Sequence, residues 1–144
     1  MVTQLISATL ISTGFALIFG LRKRFVFFAA AGGLLCWSVY LLAKYFSFGE
    51  FSASFVSTLA VGIFCEVLAR VLKAPTTIFF TPSIIPLVPG RALFYAISCA
   101  VGGDFTNARE FALETGAVAA AIAVGLGVAV SVFSTATRIK NYNK

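Results

Sequence analysis

Thr81-Pro82-Ser83-Ile84-Ile85-Pro86-Leu87-Val88-Pro89-Gly90-Arg91 carries three of the chain's four prolines within eight residues. Proline lacks a backbone N–H and its ring clashes with the preceding turn, so this spacing excludes one regular helix. The flanks are nevertheless apolar: Ile78-Phe79-Phe80 on one side, Ala92-Leu93-Phe94-Tyr95-Ala96-Ile97 on the other. In a membrane, irregular backbone survives only where protein buries it or where it lines a polar cavity. Interrupted helices of this kind build substrate sites in transporters.

Composition supports the membrane setting. Of 144 residues, 60% are hydrophobic and 11% charged, against about 25% charged in soluble domains. A soluble chain this short could not hide that much apolar surface. The fold class expected is an all-α integral membrane protein, a single polytopic domain over residues 1–144. Its Gly, Ala and Ser content suits close helix packing in lipid. The net charge of +6 does not indicate nucleic acid, because the basic residues cluster at segment ends, as the positive-inside rule requires.

Histidine is absent. That removes the commonest general base and the usual partner of a nucleophilic Ser or Cys. Cys36, Cys65 and Cys99 are widely spaced in apolar segments and read as small buried hydrophobes. No enzyme chemistry, metal site or cofactor is expected.

Working outward from the prolines, residues 51–69 form an apolar segment ending at Arg70 and Lys73. Glu66 lies in its last turns, four residues before Arg70, the favourable order for a helical ion pair. An intramembrane carboxylate is also a candidate for proton coupling, and Asp104 is a second. Residues 25–43 form another crossing, with a close-packing run Ala29-Ala30-Ala31-Gly32-Gly33 and with Trp37, Tyr40 and Tyr45 toward the far interface. Residues 2–21 precede Arg22-Lys23-Arg24. Because the charge follows the apolar run, the segment reads as a retained crossing and not as a signal peptide. Residues 74–105 hold the proline break, and residues 111–137 a last helix containing Glu114, Gly116, Gly125 and Gly127, the glycines expected to serve packing.

Each arm of the proline region has about fifteen residues, about 22 Å as helix, too short to span alone. The arms form either one broken crossing or a re-entrant hairpin. A broken crossing puts Arg138, Lys140 and Lys144 on the same side as the other basic clusters. The expectation is therefore about five crossings in the cell (inner) membrane, N-terminus outside and C-terminus cytoplasmic.

Locally, Pro89-Gly90 ends one arm and Arg91 opens the next. A helix N-terminus with unpaired N–H groups, placed near the midplane, holds anions, and Arg91 adds a planar fork suited to a carboxylate. Pro82, Ser83, Pro86, Pro89, Gly90 and Arg91 are the expected substrate-binding residues, and a small carboxylate the expected substrate.

The pattern P-x-x-x-P-x-V-P-G from Pro82 to Gly90, followed by the apolar aromatic run Leu93-Phe94-Tyr95, resembles the proline motif of the threonine/serine exporter (ThrE-like) family. Length and span number resemble its short, YjjB-like membrane subunit. The resemblance implies a secondary exporter of threonine and serine or of small dicarboxylates such as succinate. It also implies a companion YjjP-like membrane subunit of opposed topology, since fused members carry two membrane halves. Assembly with copies of itself is a further option. A membrane scaffold that makes no substrate contact is the alternative.

Overall fold

The computed structural model describes residues 2–142, with side chains to residue 132. Among the described residues every regular element is helical: α1 (Val2–Ile18), α2 (Lys23–Tyr45), α3 (Glu50–Leu72), α4 (Thr76–Ile84), a 3-10 turn (Ile85–Leu87), α5 (Gly90–Val101) and α6 (Phe105–Tyr142). α2, α3 and residues 105–132 of α6 are long and apolar enough to cross a membrane. The arms on either side of the proline break pass the same test together, bent by 52°. α1 has 17 residues, at the short end of the spanning range.

Local chemistry explains the boundaries. α1 stops before residue 21 because Gly20 takes a left-handed φ of 67°, where the amide of Leu21 reaches back to the Ala16 carbonyl at 3.1 Å. α3 ends the same way: Lys73 is left-handed, the Ala74 amide bonds the Ala69 carbonyl at 3.0 Å, and Pro75 prevents continuation. α6 begins at Phe105, six residues before the apolar stretch expected from hydropathy. Asp104 accounts for the extension. Its Oδ1 accepts the Asn107 amide at 3.2 Å and its Oδ2 accepts the Asn107 side chain at 2.6 Å, an N-cap that sustains helix through polar residues. Pro82 stays inside α4. The regular helix gives way at the 3-10 turn and at Val88-Pro89, where α5 starts afresh.

α2 lies at the centre, packed by α1, α3 and α4, while α6 packs on α3 and α5. The core cluster is Cys36, Val61, Cys65, Phe79, Phe80, Ile84 and Leu87, with Phe25 and Phe28 edge-on to the Phe79 ring. Most other buried positions are small: Ala8, Ala16, Ala29, Ala53, Ala121 and Ala129 among them. Large apolar side chains such as Leu10, Phe27 and Val71 point outward. Small inside and large apolar outside is the arrangement suited to lipid, where packing of backbones, not escape from water, joins helices.

The run expected to give α2 a close-packing face does so. Gly32 is approached by Ser83 of α4 and Gly33 by Ser12 of α1, so closely that a Cβ at either position would clash. Of the last helix's three glycines, Gly125 is packed, on Thr58 and the Phe55 carbonyl, while Gly116 and Gly127 face open space. The packing role expected of all three thus belongs to Gly125. Arg138, Lys140 and Lys144, which carried the orientation argument, lie outside the described side chains.

Candidate functional site

The proline break forms one wall of a cavity of about 350 Å³. Pro86 to Ala92 supply that wall. Trp37 and Tyr40 from the last third of α2, Glu50 and Ser54 from the first turns of α3, and Glu114 and Val118 from α6 supply the rest. The break therefore faces the end of the bundle where α2 finishes and α3 begins, and not the midplane assumed from the sequence. The reason is register: α4 runs beside α2 with Phe79 at Phe25 and Ser83 at Ala29 and Gly32. The chain has thus climbed past the middle of α2 when it reaches Pro86.

Of the expected binding residues, Pro86, Pro89, Gly90 and Arg91 line the cavity. Pro82 and Ser83 do not; both are buried in the packing of α4. Ser83 Oγ donates to the Phe79 carbonyl at 2.7 Å and lies 3.2 Å from the Ala29 carbonyl. That hydroxyl ties α4 to α2 and so sets where the break falls.

Arg91 is the first cation of α5, and the N-terminal turn of that helix, with its partial positive charge, borders the cavity. The guanidinium lies 5.9 Å from the centre of the Tyr95 ring one turn on, and Tyr95 stacks on Phe111 of α6 at 5.4 Å. This stack orients Arg91 without neutralising it. Among the described residues Arg91 makes no ion pair. The same holds for Glu114 across the cavity. Glu50 is different: Lys44 Nζ donates to its Oε1 at 2.6 Å and Tyr40 donates to its Oε2 at 2.7 Å. The wall thus carries one unpaired cation, one unpaired anion and one neutralised pair.

Two residues of the wall, Ser54 and Trp37, carry donors without acceptors. Ser54 is fully buried, and its Oγ has no hydrogen-bond partner; the buried Nε1 of Trp37 has none either. An unsatisfied buried polar group costs about 1–3 kcal/mol, a cost that a polar solute bonding it would offset. Trp37 and Tyr40, stacked at 5.0 Å, read from the sequence as interfacial anchors. Glu50, Ser54 and Glu114 had no assigned role. Glu114 was legible in principle, as a carboxylate within an apolar helix; Ser54 carries no sequence signal of its own.

The expected proton-coupling residues lie elsewhere. Glu66 is near the opposite end of α3, where Arg70 donates to its Oε2 at 2.9 Å and Thr76 of α4 donates to its Oε1 at 3.1 Å. The anticipated i, i+4 pair is formed. Asp104 is exposed in the α5–α6 turn, and its bonds to Asn107 hold its carboxyl below the usual carboxylate range.

The family model for the threonine/serine exporter, ThrE, matches residues 4–132. The chain belongs to the threonine/serine exporter (ThrE) family. The match takes in α1 to α5 and the apolar part of α6, so all of the cavity lies within it. No curated protein and no solved structure is significantly similar to the chain. Membership of the ThrE family, together with three long apolar helices and one bent pair, makes this a multi-pass membrane protein of a transport family.

Proposed function

We propose that the chain is the membrane subunit of a secondary exporter for small zwitterionic amino acids of the threonine and serine class, and that the cavity is its substrate site. The charge inventory of the cavity carries this reading. An unpaired guanidinium suits an α-carboxylate, and an unpaired Glu114 carboxylate suits an α-ammonium. The orphan Ser54 hydroxyl and Trp37 N–H can bond a side-chain hydroxyl or a carboxylate oxygen. A dicarboxylate such as succinate is served less well: it finds one free cation and two wall carboxylates, and like charges repel. Pro86, Pro89 and Gly90 hold Arg91 and the α5 terminus in place, while Pro82 and Ser83 act one step back, by fixing α4 on α2.

The bend of 52° at the break leaves the arms nearer to continuing than to reversing, which favours one broken crossing and the five-crossing arrangement. The basic residues at 22–24, 70 and 73 then share the cytoplasmic face of the inner membrane, and the cavity lies toward the outer face. A companion subunit of the YjjP type, or a second copy, completes the translocation unit on this reading. Proton coupling falls to Glu66 and not to Asp104, whose carboxyl is held ionised by its cap bonds.

The test is release of labelled threonine and labelled succinate from preloaded cells lacking both subunits, then given this chain, the companion, or both. Threonine release that needs both subunits, and that Arg91→Ala removes while the protein stays inserted, supports the reading. Succinate released in preference to threonine overturns the charge argument. Neither label released, with both proteins in the membrane, moves the assignment to a scaffold.

A further inference from the structure

Two helices run parallel below the cavity. Gly125 of α6 sits on Thr58 and the Phe55 carbonyl of α3, and Gly62 of α3 sits on Ala129 of α6. Val118, Ala121, Gly125 and Ala129 are the buried face of α6. On α3 the facing hydroxyls are Ser54, at the cavity wall, and Thr58, one turn deeper. Both residues are 0% exposed and neither hydroxyl has a partner.

Of the five buried hydroxyl residues among those described, Ser57 and Ser83 are bonded, while Ser12, Ser54 and Thr58 are not, and two of those three lie on this seam. Hydroxyls on these helices bond the carbonyl four residues back, as Thr9, Thr13, Ser38, Ser83 and Thr115 do, or a neighbouring helix, as Ser57 does with the Cys36 carbonyl at 2.5 Å. Ser57 and Ser83, facing α2, are satisfied. Ser54 and Thr58, on the α6 side, are not. Buried hydroxyls without partners are costly in a medium that holds no water, and water or a polar solute entering between the helices would relieve both. The seam is also lined by glycine and alanine, so parting it exposes little apolar area for each step of separation.

We propose that the cavity is the mouth of a solute path that continues down the α3–α6 seam, closed in this structure, with the hydroxyls of Ser54 and Thr58 as its next two polar contacts. The inference rests on reading the cavity as a solute site. It assigns the moving boundary to α6 against α3, while α1, α2 and α4 remain together through the Ser12–Gly33 and Ser83–Gly32 contacts. Ser12 is also an orphan hydroxyl, but it fills the notch at Gly33 and does not border the cavity; the α2–α3 contact of Cys36 and Ser57 serves as the control.

The experiment uses the full chain with its companion in cells. Thr58→Cys is exposed to a hydrophilic maleimide, with the native buried Cys36 and Cys65 as internal references and labelled sites located by peptide mass. The thiol introduced at position 58 is expected to react at least about tenfold faster than Cys65, and external threonine is expected to slow it. A disulfide between Gly62→Cys and Ala129→Cys, whose formation itself shows that the seam is intact, should abolish both labelling at position 58 and threonine release, and reductant should restore both. A disulfide between Ser57→Cys and the native Cys36, whose side chains meet at 3.4 Å between α3 and α2, should leave both unchanged. Thr58→Val, which keeps the shape and removes the hydroxyl, should slow release several-fold. A thiol at position 58 as unreactive as Cys65, or a control disulfide that blocks as fully as the seam disulfide, overturns the proposal. Labelling that the seam disulfide blocks, in a protein that never releases threonine, upholds the path and refutes the substrate reading instead.

Discussion

Glutamate and arginine stand near each end of this bundle, with opposite outcomes. At one end Glu66 is gripped by Arg70 and by Thr76, with 13% of its side chain exposed. At the other, Arg91 and Glu114 border one cavity, and neither has an ion-pair partner among the described residues. The first arrangement ties the end of α3 to the start of α4 and leaves no free charge for a solute. The second keeps a charge of each sign available for the substrate proposed above. Sequence spacing separates the two cases. Glu66 and Arg70 are on one helix at i, i+4, whereas Arg91 and Glu114 are on different helices, joined by the Tyr95–Phe111 stack.

Four substitutions would break or sharpen this contrast. Arg91→Ala should have the largest effect. Losing a charge-assisted hydrogen bond of about 1.5–3 kcal/mol lowers apparent threonine affinity by roughly 10- to 100-fold, read as release at limiting internal threonine, while surface labelling confirms insertion. Glu114→Gln should follow, with a loss of about tenfold for threonine and none for succinate, which has no ammonium to place. An equal loss for both solutes would show that Glu114 shapes the cavity without reading charge. Glu66→Gln should change threonine affinity by less than about fivefold, since one partner of an ion pair at the bundle end is worth about 1 kcal/mol; its effect should fall on the coupling of release to the proton gradient, which is lost if Glu66 carries the proton. A collapse of threonine binding in Glu66→Gln would erase the distinction between the ends.

Asp104 gives the smallest effect. Its carboxyl is lowered by Asn107 in the folded protein. A group whose folded pKa is depressed contributes stability above its unfolded pKa and loses it as pH falls through the folded value. The first turn of α6 should therefore lose protection of its amide hydrogens, relative to their intrinsic exchange rates, as pH drops below about 4, the ordinary Asp range. Asp104→Ala should show the reduced protection at every pH, with threonine release unchanged.

Much of this is legible in the chain alone. The break at residues 82–91, Arg91 at the mouth of a new helix, the Glu66–Arg70 pair and the close-packing run at Gly32-Gly33 follow from local rules: proline's missing donor, helical spacing, and the room glycine leaves. The start of α6 did not follow, because Asp104 and Asn107 extend at its N-terminus a helix that hydropathy alone begins later. Ser83 and Pro82, grouped with the binding residues by proximity in sequence, belong to packing, since a helix turns consecutive residues toward different neighbours.

The amino-acid sequence by itself determined that this chain lives in a membrane, that it is helical, and that its fourth apolar stretch must break at the prolines. Those are consequences of composition and of backbone covalent chemistry, felt within a few residues. Tertiary structure alone decided which charges stay unpaired and what the break faces. Trp37, Tyr40, Glu50, Ser54 and Glu114 come from three other helices, and only the register of α4 on α2 and of α6 on α3 sets them around Arg91. That register depends on contacts between residues tens of positions apart, such as Ser83 with Gly32 and Thr58 with Gly125, which leave no periodic trace in the chain.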